Sequence, residues 1–235
     1  MNWGADGLVA LIIPAYNEAP VIGLTLQSIP VGLFDLVVVA DNGSSDATGQ
    51  IARSHGAQVV RTEARGYGVA CLTAIAWLPA SVEIVVFLQA DLSEDVCEAD
   101  RLIRPIAEGR ADLVLGSRVL GTAEAGSLLL HQRFGNLVAT LLIRLLYGHS
   151  YTDLGPFRAI RRSALDRLGM RDRTYGWTVE MQVRALENGL RVLEVPVSYR
   201  QRAAGENKVS GKVLASLQAG WRILTTVMKL RLRLG

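Results

Sequence analysis

Lysine is scarce in this sequence: Lys208, Lys212 and Lys229 stand against 22 arginines. Arginine grips phosphate or carboxylate with a planar fork, so the bias points either to an anionic ligand or to a basic face without one. Cysteine is scarcer still. Cys71 and Cys97 have no metal-binding spacing, and both read as buried small hydrophobic residues, which fits a reducing cytoplasm. Long apolar runs are missing as well. The longest uncharged stretch, residues 66–82, contains Gly66, Gly68 and Pro79, and no segment reaches the roughly 20 apolar residues of a membrane span. The opening residues carry no basic cluster and the apolar run at 8–13 stops at Pro14, so no secretory signal is expected. Charge is modest at 20%, against 50% apolar residues, which excludes a disordered chain.

The net charge of +3 hides two unlike halves. Residues 1–117 hold 14 acids and 6 bases, a balance of −8, whereas residues 118–235 hold 8 acids and 19 bases, a balance of +11. The first half alternates short apolar runs with helical segments. Strands are expected at 8–13, 36–40, 57–61, 84–88 and 112–116, and helices at 18–28 (with Asn17 as cap), 46–55, 68–77 and 95–108. Repeated βα units with short loops imply a mostly parallel sheet covered on both faces. The second half breaks this rhythm. A long apolar helix is expected at 128–147, a strand at 157–160, helices at 162–168 and 178–188, and a strand at 190–199. Residues 201–211 read as a polar mobile loop, and 212–234 as a basic amphipathic helix. No repeat or linker divides the 235 residues, so one domain is expected.

In an open α/β sheet, ligands bind beyond the carboxyl ends of the strands. Those ends carry Pro14-Ala15-Tyr16-Asn17-Glu18, Asp41-Asn42-Gly43-Ser44-Ser45-Asp46, Gln89-Ala90-Asp91-Leu92-Ser93 and Gly116-Ser117-Arg118. A single strand-end Asp before Gly-Ser is often only a turn. Three consecutive acid-bearing ends in order would converge on one crevice.

With these residues in place, the sequence resembles the inverting glycosyltransferases of family 2, which have the GT-A fold, and within them the polyprenyl-phosphate sugar transferases of the dolichyl-phosphate mannose synthase type. The segment Asp153-Leu154-Gly155-Pro156-Phe157-Arg158 and the stretch from Tyr199-Arg200 to Lys208-Val209-Ser210 extend the resemblance to about residue 225. It implies transfer of a hexose (mannose or glucose) from a nucleoside-diphosphate sugar to a polyprenyl phosphate or other lipid acceptor. Residues 1–117 would hold the donor, 118–211 the acceptor, and 212–235 would form the amphipathic helix.

The resemblance also implies roles. Pro14, Ala15, Tyr16, Glu18, Asp41, Ala90 and Asp91 would hold the nucleotide. Tyr16 offers an apolar face to a base, and Glu18 or Asp41 can accept hydrogen bonds from ribose or base. Gly66 and Gly68 either let backbone approach a diphosphate, with Arg65 beside it, or form a plain turn. Where the family reads Asp-x-Asp, this chain reads Gln89-Ala90-Asp91. Asp91 is then the catalytic and metal-binding acid for Mg²⁺ or Mn²⁺, but Gln89 brings no charge: either the cation binds more weakly, or basic side chains neutralise the leaving group instead. Glu180 lies near the family's general base, or serves as a helix N-terminal charge. Arg118, Arg133, Arg158, Arg200, Arg202 and Lys208 are the candidates for an acceptor phosphate.

Residues 212–234, with Trp221, Leu224, Val227 and Met228 on one side and Arg222, Lys229, Arg231 and Arg233 on the other, suit an anionic membrane surface or packing on the protein, whereas 128–147 favours packing. A peripheral protein at the cytoplasmic membrane face, working alone or beside a membrane subunit, is expected. No nucleic-acid partner is. The other readings are transfer to a hydroxyl of a glycolipid, saccharide or cell-wall precursor, and a non-catalytic subunit that binds a sugar nucleotide.

Overall fold

A computed structural model describes residues 7–203 and 224–232. The apolar runs do become the strands of one sheet. These are β1 (Leu8–Ala15), β2 (Leu36–Asp41), β3 (Gln58–Arg61), β4 (Val82–Phe87), β5 (Leu113–Ser117), β6 (Arg158–Arg161) and β7 (Val192–Pro196). Their order is β3-β2-β1-β4-β6-β5-β7. β6 is antiparallel to both neighbours, β4 and β5, and every other pairing is parallel.

Burial on two faces explains the unbroken hydrophobicity of the central strands. Ala10 and Ile12 of β1 pack with Val38, Phe87 and Trp177 on one side. Val9, Leu11 and Ile13 pack with Leu102, Ile103 and Ile106 on the other. The helices that supply these layers are α1 (Ile22–Gln27), α2 (Thr48–Ser54), α3 (Tyr67–Trp77), α4 (Ala99–Ala107), α5 (Leu130–Tyr147), α6 (Arg162–Leu168) and α7 (Trp177–Glu187). Residues 224–231 form a further helix, α8. Its Val227 is buried in the Trp177 cluster, so this part of the C-terminal segment packs on the protein. Trp221, Arg222 and Arg233 lie outside the described residues.

Several boundaries differ from the expectation for identifiable reasons. α1 starts at Ile22 rather than residue 18, because Pro20 disfavours helical backbone at Ala19. Asn17 is therefore not its cap. Asn17 adopts φ +50°, and its Oδ1 accepts the Ser45 N–H at 2.9 Å, tying the β1 and β2 loops together. The helix expected over 95–108 begins as a 3₁₀ turn at Val96–Glu98. Cys97 on that turn is exposed, unlike the buried Cys71, which corrects the reading of both as core residues.

α5 also departs from expectation. Ala139 and Ile143 are buried, but Leu130, Phe134, Leu137, Leu141 and Leu145 are about half exposed or more. These five recur at i, i+4, i+7, i+11 and i+15, one face of a helix. Packing on the protein covers the opposite face only.

Candidate active site

The chain order reverses between β1 and β4, so the carboxyl ends of β2, β1 and β4 lie side by side at a switch point, where open α/β sheets leave a crevice. A cavity of about 550 Å³ opens there. Its lining joins Pro14, Ala15, Tyr16 and Glu18 from the β1 end, Asn42 from the β2 end, and Gln89, Ala90 and Asp91 from the β4 end. Arg65, Gly66, Arg118, Arg200 and Arg202 complete it, with Tyr67, Tyr175, Tyr199, Ser127 and Gln132. Asn17 and Leu92, the two non-glycine residues with positive φ among those described, sit in the β1 and β4 end loops. Backbone strain of this kind concentrates at functional sites.

The part of the cavity at the β1 and β2 ends is built on arginine and aromatic stacking. The Arg65 guanidinium lies 3.9 Å from the centre of the Tyr16 ring and donates to the Asn42 carbonyl at 3.2 Å. Asn42 holds the neighbouring turn: its Oδ1 accepts the Gly66 N–H at 2.8 Å and its Nδ2 donates to the Ala64 carbonyl at 2.7 Å. Asp41 does not line the cavity. It is buried beneath the β2 loop, where Oδ1 accepts the Ser44 N–H at 2.8 Å and Oδ2 accepts Arg61 Nη1 at 2.9 Å. The strand-end residue that faces the cavity is its neighbour Asn42.

Gly66 and Gly68 make their close approach to protein rather than to the cavity. A Cβ on Gly66 would fall 2.0 Å from the Arg173 carbonyl oxygen, and one on Gly68 2.0 Å from that of Asp172. Gly68 is therefore expected to tolerate alanine poorly, at a cost of about 1–3 kcal/mol of the overpacking kind, read as a lower urea midpoint with an unchanged slope.

The 171–175 loop that presses on these glycines is held by Glu180. That carboxylate is buried. It accepts the N–H groups of Arg171 (3.1 and 3.0 Å) and Asp172 (2.7 Å), and Arg184 Nε at 2.7 Å. Glu180 does not line the cavity, so the structure gives no geometric support to its reading as a base. Its loop instead ends in Tyr175, which does reach the cavity.

The basic side chains separate into three groups. Arg118 forms a fork on Asp153, with Nε–Oδ2 at 2.7 Å and Nη2–Oδ1 at 2.8 Å, and its guanidinium lies 5.0 Å from the centre of the Tyr199 ring. Burial opposes the charge, but the Asp153 bonds outweigh it and hold the Arg118 pKa above its ordinary value. Arg118 and Gln132 also line a second cavity of about 440 Å³ with Arg133, Asn136, Leu137 and Thr140 of α5. Arg200 and Arg202 reach the first cavity because their segment runs along the β4 loop, with Arg200 N–H donating to the Ser93 carbonyl and Ala203 N–H to that of Asp91. Arg158 is a correction. It is fully buried, donates to the backbone carbonyls of Thr178 and Gly155, and reaches neither cavity. The antiparallel strand β6 points it inward. Lys208 lies outside the described residues.

The residues around Asp91 fit a resident divalent cation poorly. Asp91 Oδ1 is engaged by the Ser93 N–H at 3.0 Å and the Ser93 hydroxyl at 2.5 Å, and Oδ2 faces Arg202 Nη2 at 3.6 Å. Gln89 brings no charge, and among the described residues no three His, Cys, Asp or Glu side chains gather as a metal group. Glu94 turns Oε2 to the Gln89 N–H at 2.9 Å. Burial, helped by the Asp91 charge, pushes its carboxyl up to about 8. Glu94, Tyr175 and Gln132 are not among the candidates that the sequence offers, whereas Tyr199 belongs to the late basic stretch. Tyr175 and Gln132 come from distant parts of the chain, and no local spacing signals them.

Comparison with known proteins gives the family and the fold. The family described as glycosyl transferase family 2 matches residues 10–169. An uncharacterized glycosyltransferase of Mycobacterium tuberculosis is 37% identical over 228 residues, covering 94% of this chain and 100% of the relative. A dolichyl-phosphate hexose transferase of Haloferax volcanii is 32% identical over 230 residues, 96% of each chain. An undecaprenyl-phosphate mannosyltransferase of Micrococcus luteus is 29% identical over 242 residues, 97% of this chain and 99% of the relative. Among solved structures, glucosyl-3-phosphoglycerate synthase from M. tuberculosis, in complex with Mn²⁺, UDP and glucosyl-3-phosphoglycerate, superposes with a TM-score of 0.73 at 22% identity, over 94% of this chain and 80% of that one. This chain belongs to glycosyl transferase family 2: it is a glycosyltransferase with the GT-A fold.

Proposed function

We propose that the enzyme transfers a hexose from a nucleoside-diphosphate sugar to a polyprenyl phosphate, by one inverting displacement. The observation that carries this reading is the pair of cavities sharing one wall at Arg118 and Gln132. In this reading the first cavity, built on the acidic half of the chain, takes the donor. Tyr16 and Arg65 flank the nucleoside, and the arginines around Asp91 face the diphosphate. The second cavity takes the acceptor phosphate between Arg118 and Arg133, whose forks suit such an anion. Leu137 and Leu128 continue it as an apolar wall for the first isoprene units. A phosphate is already ionised near neutral pH and attacks without a general base, consistent with a Glu180 turned away from both cavities. Two relatives named for polyprenyl-phosphate acceptors support the same reading.

The exposed stripe of α5 gives this acceptor a place to be. The helix has no acidic residue, and Arg133 and Arg144 are exposed along one flank of the stripe. Among the described residues no helix is long and apolar enough to cross a membrane. An apolar face with a basic flank instead suits the interface of an anionic bilayer. The enzyme would sit on the cytoplasmic membrane face with its second cavity toward the lipid.

The test is transfer from labelled nucleotide sugars to a short polyprenyl phosphate. Transfer from one donor is expected, and no transfer from any common donor overturns the reading. Arg133→Ala is expected to raise the apparent KM for the polyprenyl phosphate about tenfold, the loss of one charge-assisted bond, while leaving the KM for the donor within about twofold.

A further inference from the structure

We propose that the guanidinium of Arg202 takes the place a divalent cation holds in related transferases, so that the donor diphosphate binds, and its leaving charge is neutralised, without metal. This inference rests on the transferase reading above.

Four arginines and two acids line the donor cavity, and the acids are both committed to one of the four. Arg202 Nη2 lies 3.0 and 3.2 Å from the two carboxylate oxygens of Glu18 and 3.6 Å from Asp91 Oδ2. It bridges the β1 end to the β4 end, across the switch point. Its side chain is only 22% exposed, so its charge acts in a medium where attraction is weakly screened. A hard cation needs several oxygen donors, preferably carboxylates, around one point. Here a permanent cation already lies between the two acids that face the cavity, Gln89 adds no charge, and the Ser93 hydroxyl and N–H engage Asp91 Oδ1.

The remaining arginines are placed to share the load. Among the described residues Arg65 forms no ion pair; it stacks on Tyr16, which leaves its charge for an incoming anion. Arg118 and Arg200 face the same cavity, and their carboxylate partners, Asp153 and Asp95, are not among its lining residues. A diphosphate entering between Arg65 and Arg202 exchanges the carboxylates of Glu18 and Asp91 for phosphate oxygens on the same fork. Arginine suits this exchange because its fork matches phosphate geometry and keeps its proton throughout.

The test is calorimetric binding of UDP, GDP, ADP and dTDP, each alone, to the full-length protein in excess chelator and again with Mn²⁺. At least one diphosphate is expected to bind in chelator with an affinity within about threefold of that in Mn²⁺. Arg202→Ala is expected to weaken it about 10- to 100-fold, the range for losing charge-assisted bonds, with Mn²⁺ giving no rescue. Arg202→Lys, which keeps the charge but not the fork, is expected to fall between, and thermal melts of both variants check that they fold. Binding that appears only with Mn²⁺, or that survives Arg202→Ala unchanged, overturns the assignment while leaving the transferase reading intact. No binding of any diphosphate under either condition, together with no transfer, overturns both.

Discussion

Arg118→Met is expected to cost about 3–5 kcal/mol of stability, the range for breaking a buried ion pair from one side, and to abolish transfer. Asp153 is buried, and its carboxylate accepts two bonds from the Arg118 side chain, one from the Arg118 N–H and one from the Leu154 N–H. Methionine fills much of the space but leaves a desolvated carboxylate with only its two amide partners. The second substitution separates the two effects. Asp153→Asn in the Arg118→Met background removes the unpaired charge and should recover part of the stability, since the two sites couple directly. It should recover no transfer, because the wall common to the two cavities still lacks its guanidinium. Urea melts and the transfer assay read the two outcomes. Equal recovery of both would make Arg118 a structural residue only.

Most of the sheet and of the lining of the first cavity was legible because both rest on local signals. Runs such as 8–13 and 84–88 can be satisfied only by strands buried on two faces, and ligand position then follows from where such strands end. Pro14, Ala15, Tyr16 and Glu18 and the pair Ala90-Asp91 reach the cavity for that reason. What escaped depends on direction and distance. Asp41 ends β2 and Asn42 opens the loop after it; only Asn42 faces the cavity, and composition does not say which of the two would. Gly66 and Gly68 announced a close approach but not that the approaching group is the backbone of Asp172 and Arg173. Arg158 looks like any other arginine until the antiparallel insertion of β6 points it into the core. The stripe on α5 was present in the spacing, yet an apolar helix in a chain with a sheet is ordinarily read as cover for that sheet, and only the packing of Ala139 and Ile143 shows which face is left over.

Glu180→Ala is expected to cost a further 3–5 kcal/mol or so by the same physics, and its kinetics distinguish a loop anchor from a base. The substitution leaves Arg184 without its carboxylate and the amides of Arg171 and Asp172 without an acceptor. At about 2–4 °C per kcal/mol for a chain of this size, the melting temperature should drop by roughly 6–20 °C. Glu180→Gln keeps one oxygen for the amides and should lose less. If Glu180 took a proton from the acceptor, the glutamine variant would melt near the parent and lose about 10²–10⁴ in kcat, along with the acid limb of the pH profile. A loop anchor gives the opposite pattern. The kcat of the folded glutamine variant stays within about tenfold, the acid limb is unmoved, and the change appears as a higher KM for the donor. The donor is affected because the loop that Glu180 holds packs on Gly66 and Gly68 and carries Tyr175 into the first cavity, so loosening it disturbs the nucleotide side while the wall at Arg118 stays in place.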